Sequence, residues 1–143
     1  MAKIKYITFG LSVEQNIDED IVKRTLTMPL EFIILPFVPT TYSFAIITCI
    51  TEFDVTQTHI VKMLLSFKDD KSVIYNTGDI IKPAEPDNPL RKKIPSQFVG
   101  FSLGVDMRNV IFQKEGIYVL SVYFDNEKIG ERELYVVEDM QNE

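Results

Sequence analysis

Few side chains in this sequence can carry chemistry, and they do not assemble into a known constellation. The sole histidine, His59, opens an alternating run, and the sole cysteine, Cys49, lies inside the apolar stretch "SFAIITCI". A zinc site draws its ligands from several cysteines, histidines or carboxylates, and neither residue has a second imidazole or thiol to join it. A serine triad would have to use His59, yet no "GxSxG" nucleophile turn occurs. We therefore read His59 as a half-buried residue at a strand end and Cys49 as a buried, inert thiol. No catalytic residue is assigned, and no enzymatic activity is expected.

The acidic clusters lead to the same conclusion. Asp18, Glu19 and Asp20 in "NIDED", and Asp69 and Asp70 in "KDDK", lack the alternating ligands, mid-loop glycine and closing glutamate of a calcium hand. Gly100 and Gly104 in "GFSLG" lack the spacing and following helix of a phosphate-binding loop, and are read as a bulge or turn. No metal and no cofactor is expected. The dense basic run is "PLRKKIP", which places Arg91, Lys92 and Lys93 between prolines. Proline limits the freedom such a segment loses on binding, so these three residues form a candidate interaction loop for an acidic protein surface.

The elements that must position these residues are strands. In "THIVKMLLSFKDD", His59, Val61, Met63, Leu65 and Phe67 share one face, and a polar turn leads into "VIYNTGDII". Residues 58–68 and 73–81 thus read as a hairpin. Residues 42–53 are apolar at nearly every position, as in a strand covered on both faces, with a buried helical turn as the alternative. "DIVKRTL" and "LEFIIL" are separated around Met28 and Pro29, and "PFVPTT" marks a strand end and crossover. Residues 82–97 hold four of the seven prolines and read as one long loop.

The closing stretch "EGIYVLSVYFDNEKIGERELYVVED" adds a glycine and then a tyrosine two places later. This is the pattern of the tyrosine corner of immunoglobulin-type domains, with Leu120 where the second cysteine would stand. Tyr118, Leu120, Val122 and Phe124 are expected inside, with Leu134 and Val136 opposite them on the returning strand. Residues 138–143 are expected as a polar tail. The fold class is an all-β, antiparallel, immunoglobulin-like sandwich of about eight or nine strands in a single domain spanning 1–143.

Composition limits the partners. A formal charge of -6 argues against nucleic acid, whose phosphates need a concentrated basic surface. No apolar run approaches the roughly 20 residues of a membrane-spanning helix, and the first residues alternate where a signal sequence would be continuous. A cytoplasmic location follows as the expectation, consistent with one unpaired cysteine.

The segments "KIKYITFG", "PLEFIILPFVPTTYSFAI", "THIVKMLLSFKDDKSVIYNTGDI" and "VDMRNVIFQKEGIYVLSVYFDNEKIGERELYV" together resemble a family of small Firmicutes proteins known as a domain of unknown function. The resemblance covers nearly the whole chain and implies a cytoplasmic β-sandwich with no site residues to carry over. The expected role is a protein-interaction or self-associating module that uses a sheet edge, a sheet face or the 82–97 loop. The second reading is a sandwich that binds a small molecule or glycan.

Overall fold

The computed structural model describes residues 2–18 and 21–139. Glu19, Asp20 and the last four residues of the expected tail lie outside them, as does the side chain of Asp18. The described residues form ten strands: β1 (Lys3–Asp18), β2 (Ile21–Leu30), β3 (Phe32–Leu35), β4 (Thr40–Thr51), β5 (His59–Phe67), β6 (Val73–Asn76), β7 (Ile80–Lys82), β8 (Gly100–Phe112), β9 (Gly116–Phe124) and β10 (Glu127–Glu138). One sheet has the order β2-β1-β4-β8 and the other β3-β10-β9-β5-β6, with β7 also paired to β5. The two sheets pack as a sandwich.

Alternation builds the core. Val61, Met63 and Leu65 of β5 are fully buried, as are Leu120 and Val122 of β9 and Leu134 and Val136 of β10. They meet Phe9 of β1 and Phe44 and Ile46 of β4, whose aromatic rings continue through Phe112 to Tyr118. The corner tyrosine acts as its position suggests: Tyr118 donates its hydroxyl to the Lys114 carbonyl at 2.7 Å. Burial raises the pKa of that phenol. The β9–β10 hairpin turns on Asp125 and Asn126, both at positive φ, the geometry of a tight turn whose twist matches its strands.

Several details differ from the sequence reading. The strand expected over 73–81 is two strands, because the chain breaks at 77–79, where Gly78 has φ +71 and Met63 N–H bonds to the Thr77 hydroxyl. Strand β3 runs parallel to β10. Its partner is distant in sequence, so no hairpin turn imposes antiparallel pairing there. Pro29 sits within β2, which tolerates it as an edge strand. Residues 42–53 are largely strand β4, and no helical turn forms there.

Gly100 and Gly104 are neither bulge nor turn: both lie in β8, where space decides their identity. A Cβ on Gly100 would stand 1.9 Å from the Ile50 carbonyl oxygen, and one on Gly104 2.9 Å from Val13. The Gly104 contact explains why β4 is covered on both faces. Strand β1 pairs with β4 only up to Gly10, and from Phe9 onward pairs with β2. The resulting hairpin folds over the outer face of its own sheet. Leu26 rests on Gly10, Val13 rests on Gly104, and Arg24 donates to Ser102 Oγ at 2.8 Å. Ala45 and Ile47, which point outward between Phe44, Ile46 and Thr48, are buried by this arm.

Candidate interaction surface

Arg91, Lys92 and Lys93 are adjacent in sequence but separate in role. Arg91 bonds to Glu85 Oε1 at 2.7 Å and to the Pro86 carbonyl at 2.8 Å. The other oxygen of Glu85 receives the buried Lys82 ammonium at 2.6 Å. One carboxylate therefore ties two cations together across the prolines. The loop also has structure of its own, with short 3-10 turns at Pro89–Lys93 and Ser96–Phe98, the first capped by Asn88. Arg91 belongs to the loop's frame. Lys92 and Lys93 are exposed, beside the exposed Leu90 and Phe98.

His59 is placed as a strand-end residue and is held on every side. Its Nδ1 is 2.6 Å from Asp125 Oδ2 and its Nε2 is 2.7 Å from the Asp54 carbonyl oxygen. Phe53 and Phe124 pack on its ring. Both ring nitrogens face structural oxygens, the Asp125 carboxylate and the Asp54 carbonyl, so the ring is built into the end of the sandwich. Asp69 and Asp70 fall in the β5–β6 turn, where Asp70 caps Ser72. Among the described residues no group of carboxylates, histidines and cysteine converges as a metal site. Cys49 is half-buried on the outward face of β4, and burial raises its pKa, opposed by Lys5.

The surface that stands out lies on the second sheet. Among the described residues its outer face has no covering arm like that of the first sheet, and its edge strand β3 pairs with β10 alone. With Ile33 and Leu35 buried in the core, Phe32 (49%) and Ile34 (55%) point outward and remain exposed. Register sets Tyr135 beside Phe32, and Ile117 beside Tyr135. Tyr135 is as exposed as Phe32, and Phe37 just beyond the strand is exposed too. The apolar row thus runs across three strands to the open edge. Toward the middle of this face is a hollow of about 390 Å³ lined by Leu64, Val119, Ser121 and Lys68, the last ion-paired to Glu133 at 2.5 Å.

Residues 29–137 match the model of a family of unknown function, DUF6941. The chain belongs to the DUF6941 family. The matched region takes in β3, β10 and the apolar row, and leaves out most of the β1–β2 arm. No curated protein matches this DUF6941 chain. Among solved structures it is similar to Pseudomonas fluorescens alkylpurine DNA glycosylase AlkC bound to DNA containing an abasic site analog, at 10% identity and a TM-score of 0.52. That likeness covers 95% of this chain and 30% of the glycosylase, so it concerns the fold alone.

Sequence reasoning missed the apolar row although its signal was present. In "FIIL" every position is apolar, which leaves one face of a strand with nothing polar to show to water.

Proposed function

We propose that this chain is a non-catalytic, cytosolic protein-interaction module, and that the partner its open β3 edge fits is a second copy of itself. The observation that carries the reading is the apolar row of Phe32, Ile34, Tyr135 and Ile117 reaching an unpaired strand edge. Exposed, contiguous apolar surface on a soluble domain is costly unless something covers it, and a free edge offers main-chain donors and acceptors to another strand.

Parity favours self-pairing. Two β3 strands brought together antiparallel about an axis normal to the sheet, with Ile34 opposite Ile34, keep both apolar rows on one face. The six-stranded sheets then continue across the contact. Pro36 and the four-residue length of β3 confine the pairing to this short segment. The immunoglobulin-like character suggested by the Tyr118 corner is compatible with such edge-to-edge use, and the single unpaired Cys49 suits a reducing compartment. The bacterial setting rests on the sequence resemblance. The net charge of -6 weighs against carrying DNA binding over from the glycosylase.

Light scattering over a wide concentration range tests the proposal. The wild-type chain is expected to approach twice its monomer mass, and Ile34→Lys to stay monomeric with unchanged melting. Salt should strengthen the wild-type contact by screening two like-charged copies, whereas a contact through Lys92 and Lys93 would weaken. A wild-type chain that remains monomeric throughout overturns it.

A further inference from the structure

Between β8 of one sheet and β7 of the other lies a cleft of about 410 Å³, within the range of small-molecule sites. Its walls are apolar, formed by Val61, Ile80, Ile81, Phe101 and Leu103. Two cations line it, and their environments differ. The Lys82 ammonium is already satisfied by Glu85 and the Pro83 carbonyl, and lies 5.7 Å from the Phe101 ring centre. Arg24 reaches over from the arm, donates from Nη1 to Ser102 Oγ, and keeps a buried Nε with no acceptor.

A guanidinium nitrogen left unpaired in a buried setting is costly, and natural folds seldom leave one without a reason. Among the described residues Arg24 has no carboxylate partner. Glu85, the acid lining the cleft, is shared between Lys82 and Arg91. The cleft is therefore locally positive in a chain whose overall charge is negative. A planar guanidinium lining the cleft matches a carboxylate, and the apolar walls match a short hydrocarbon or ring.

We propose that this cleft binds a small amphipathic carboxylate, its anionic head on Arg24 and its apolar body against Ile80, Phe101 and Leu103. The site is separate from the β3 edge and stands whether or not the chain self-associates. Ser102 accepts from the guanidinium and holds it in place, so it is a positioning residue.

Titration with octanoate, followed by amide chemical shifts, tests the assignment. Octanoate should give saturable shifts centred on Ile80, Phe101, Ser102 and Leu103, with octanol at least tenfold weaker and acetate inactive. Arg24→Gln should weaken octanoate at least tenfold and leave octanol unchanged, which a merely structural arginine would not do. Should Arg24→Gln fail to fold, Ile81→Glu places a negative charge on an exposed rim side chain and must weaken octanoate to the same degree. Absence of saturable shifts, equal binding of octanol, or octanoate binding unaffected by either variant overturns the proposal.

Discussion

The Nδ1 of His59 lies 2.6 Å from Asp125 Oδ2 and joins the start of β5 to the end of β9. The same carboxylate accepts the Ile60 backbone N–H at 2.9 Å through its other oxygen. A residue at the tip of a tight turn thereby fixes the neighbouring strand and orients an imidazole whose ring packs on Phe124. The arrangement looks like part of a catalytic dyad, but the Asp54 carbonyl occupies the far nitrogen. It is a clamp on the end of the sandwich.

The clamp predicts an acid-sensitive step in stability. Burial by itself pushes the Asp125 carboxyl up, but the hydrogen bonds from His59 and Ile60, with the charge of His59, together hold it below the usual range. A depressed folded-state pKa contributes stability that is present above the unfolded value of about 3.9 and is lost as pH falls below it through the folded pKa. Asp125→Ala should cost about 1–2 kcal/mol at neutral pH, from two lost hydrogen bonds at a half-exposed side chain. In denaturant melts of both proteins the gap should hold from neutral pH down to about 4 and begin to narrow as pH falls below about 3.9; a constant gap down to pH 3 would show that Asp125 is not the titrating group.

The glycines of β8 predict a graded effect. On Gly104, a methyl group meets the side chains of Val13 and Arg24, which can move if the arm lifts, so Gly104→Ala should cost about 1–3 kcal/mol. On Gly100 it meets the β4 backbone, which cannot move without breaking the sheet. Gly100→Ala should therefore be the more destabilising. Hydrogen exchange separates the two: the Gly104 variant should lose protection in β1 and β2 first, and the Gly100 variant at the β4–β8 pairing. Equal, diffuse loss in both would contradict the packing described.

How much of this was legible depends on where each partner lies. The inward face of β5 is written in alternate residues from His59 to Phe67, and Tyr118 announced its corner by the glycine two places before it. The covered face of β4 was also visible, but not what covers it, because Leu26 and Val13 act on small residues of their own sheet. Nothing local tells that Gly104 is small to admit a hairpin. Arg24 lies 78 positions from Ser102, in a run that reads as an ordinary strand, so its role depends on the fold. The parallel β3 escaped because a four-residue strand carries no mark of its direction.

Within "PLRKKIP", the partners of each cation decide what charge reversal does. Lys92 and Lys93 are exposed, so Lys92→Glu with Lys93→Glu should change stability by no more than about 0.5 kcal/mol. Arg91→Glu is different, because it sets a second carboxylate against Glu85, strips the Pro86 carbonyl of its donor and leaves Lys82 as the remaining cation on that acid. The geometry calls for a loss of about 1–3 kcal/mol there, softened by the solvent that reaches Glu85. The loop should also loosen, since Asn88 caps a turn that Arg91 anchors. Limited proteolysis within residues 83–97 reports this directly. Faster cleavage in Arg91→Glu than in the double lysine variant supports the division of roles, and equal rates would return Arg91 to the solvated face of the loop.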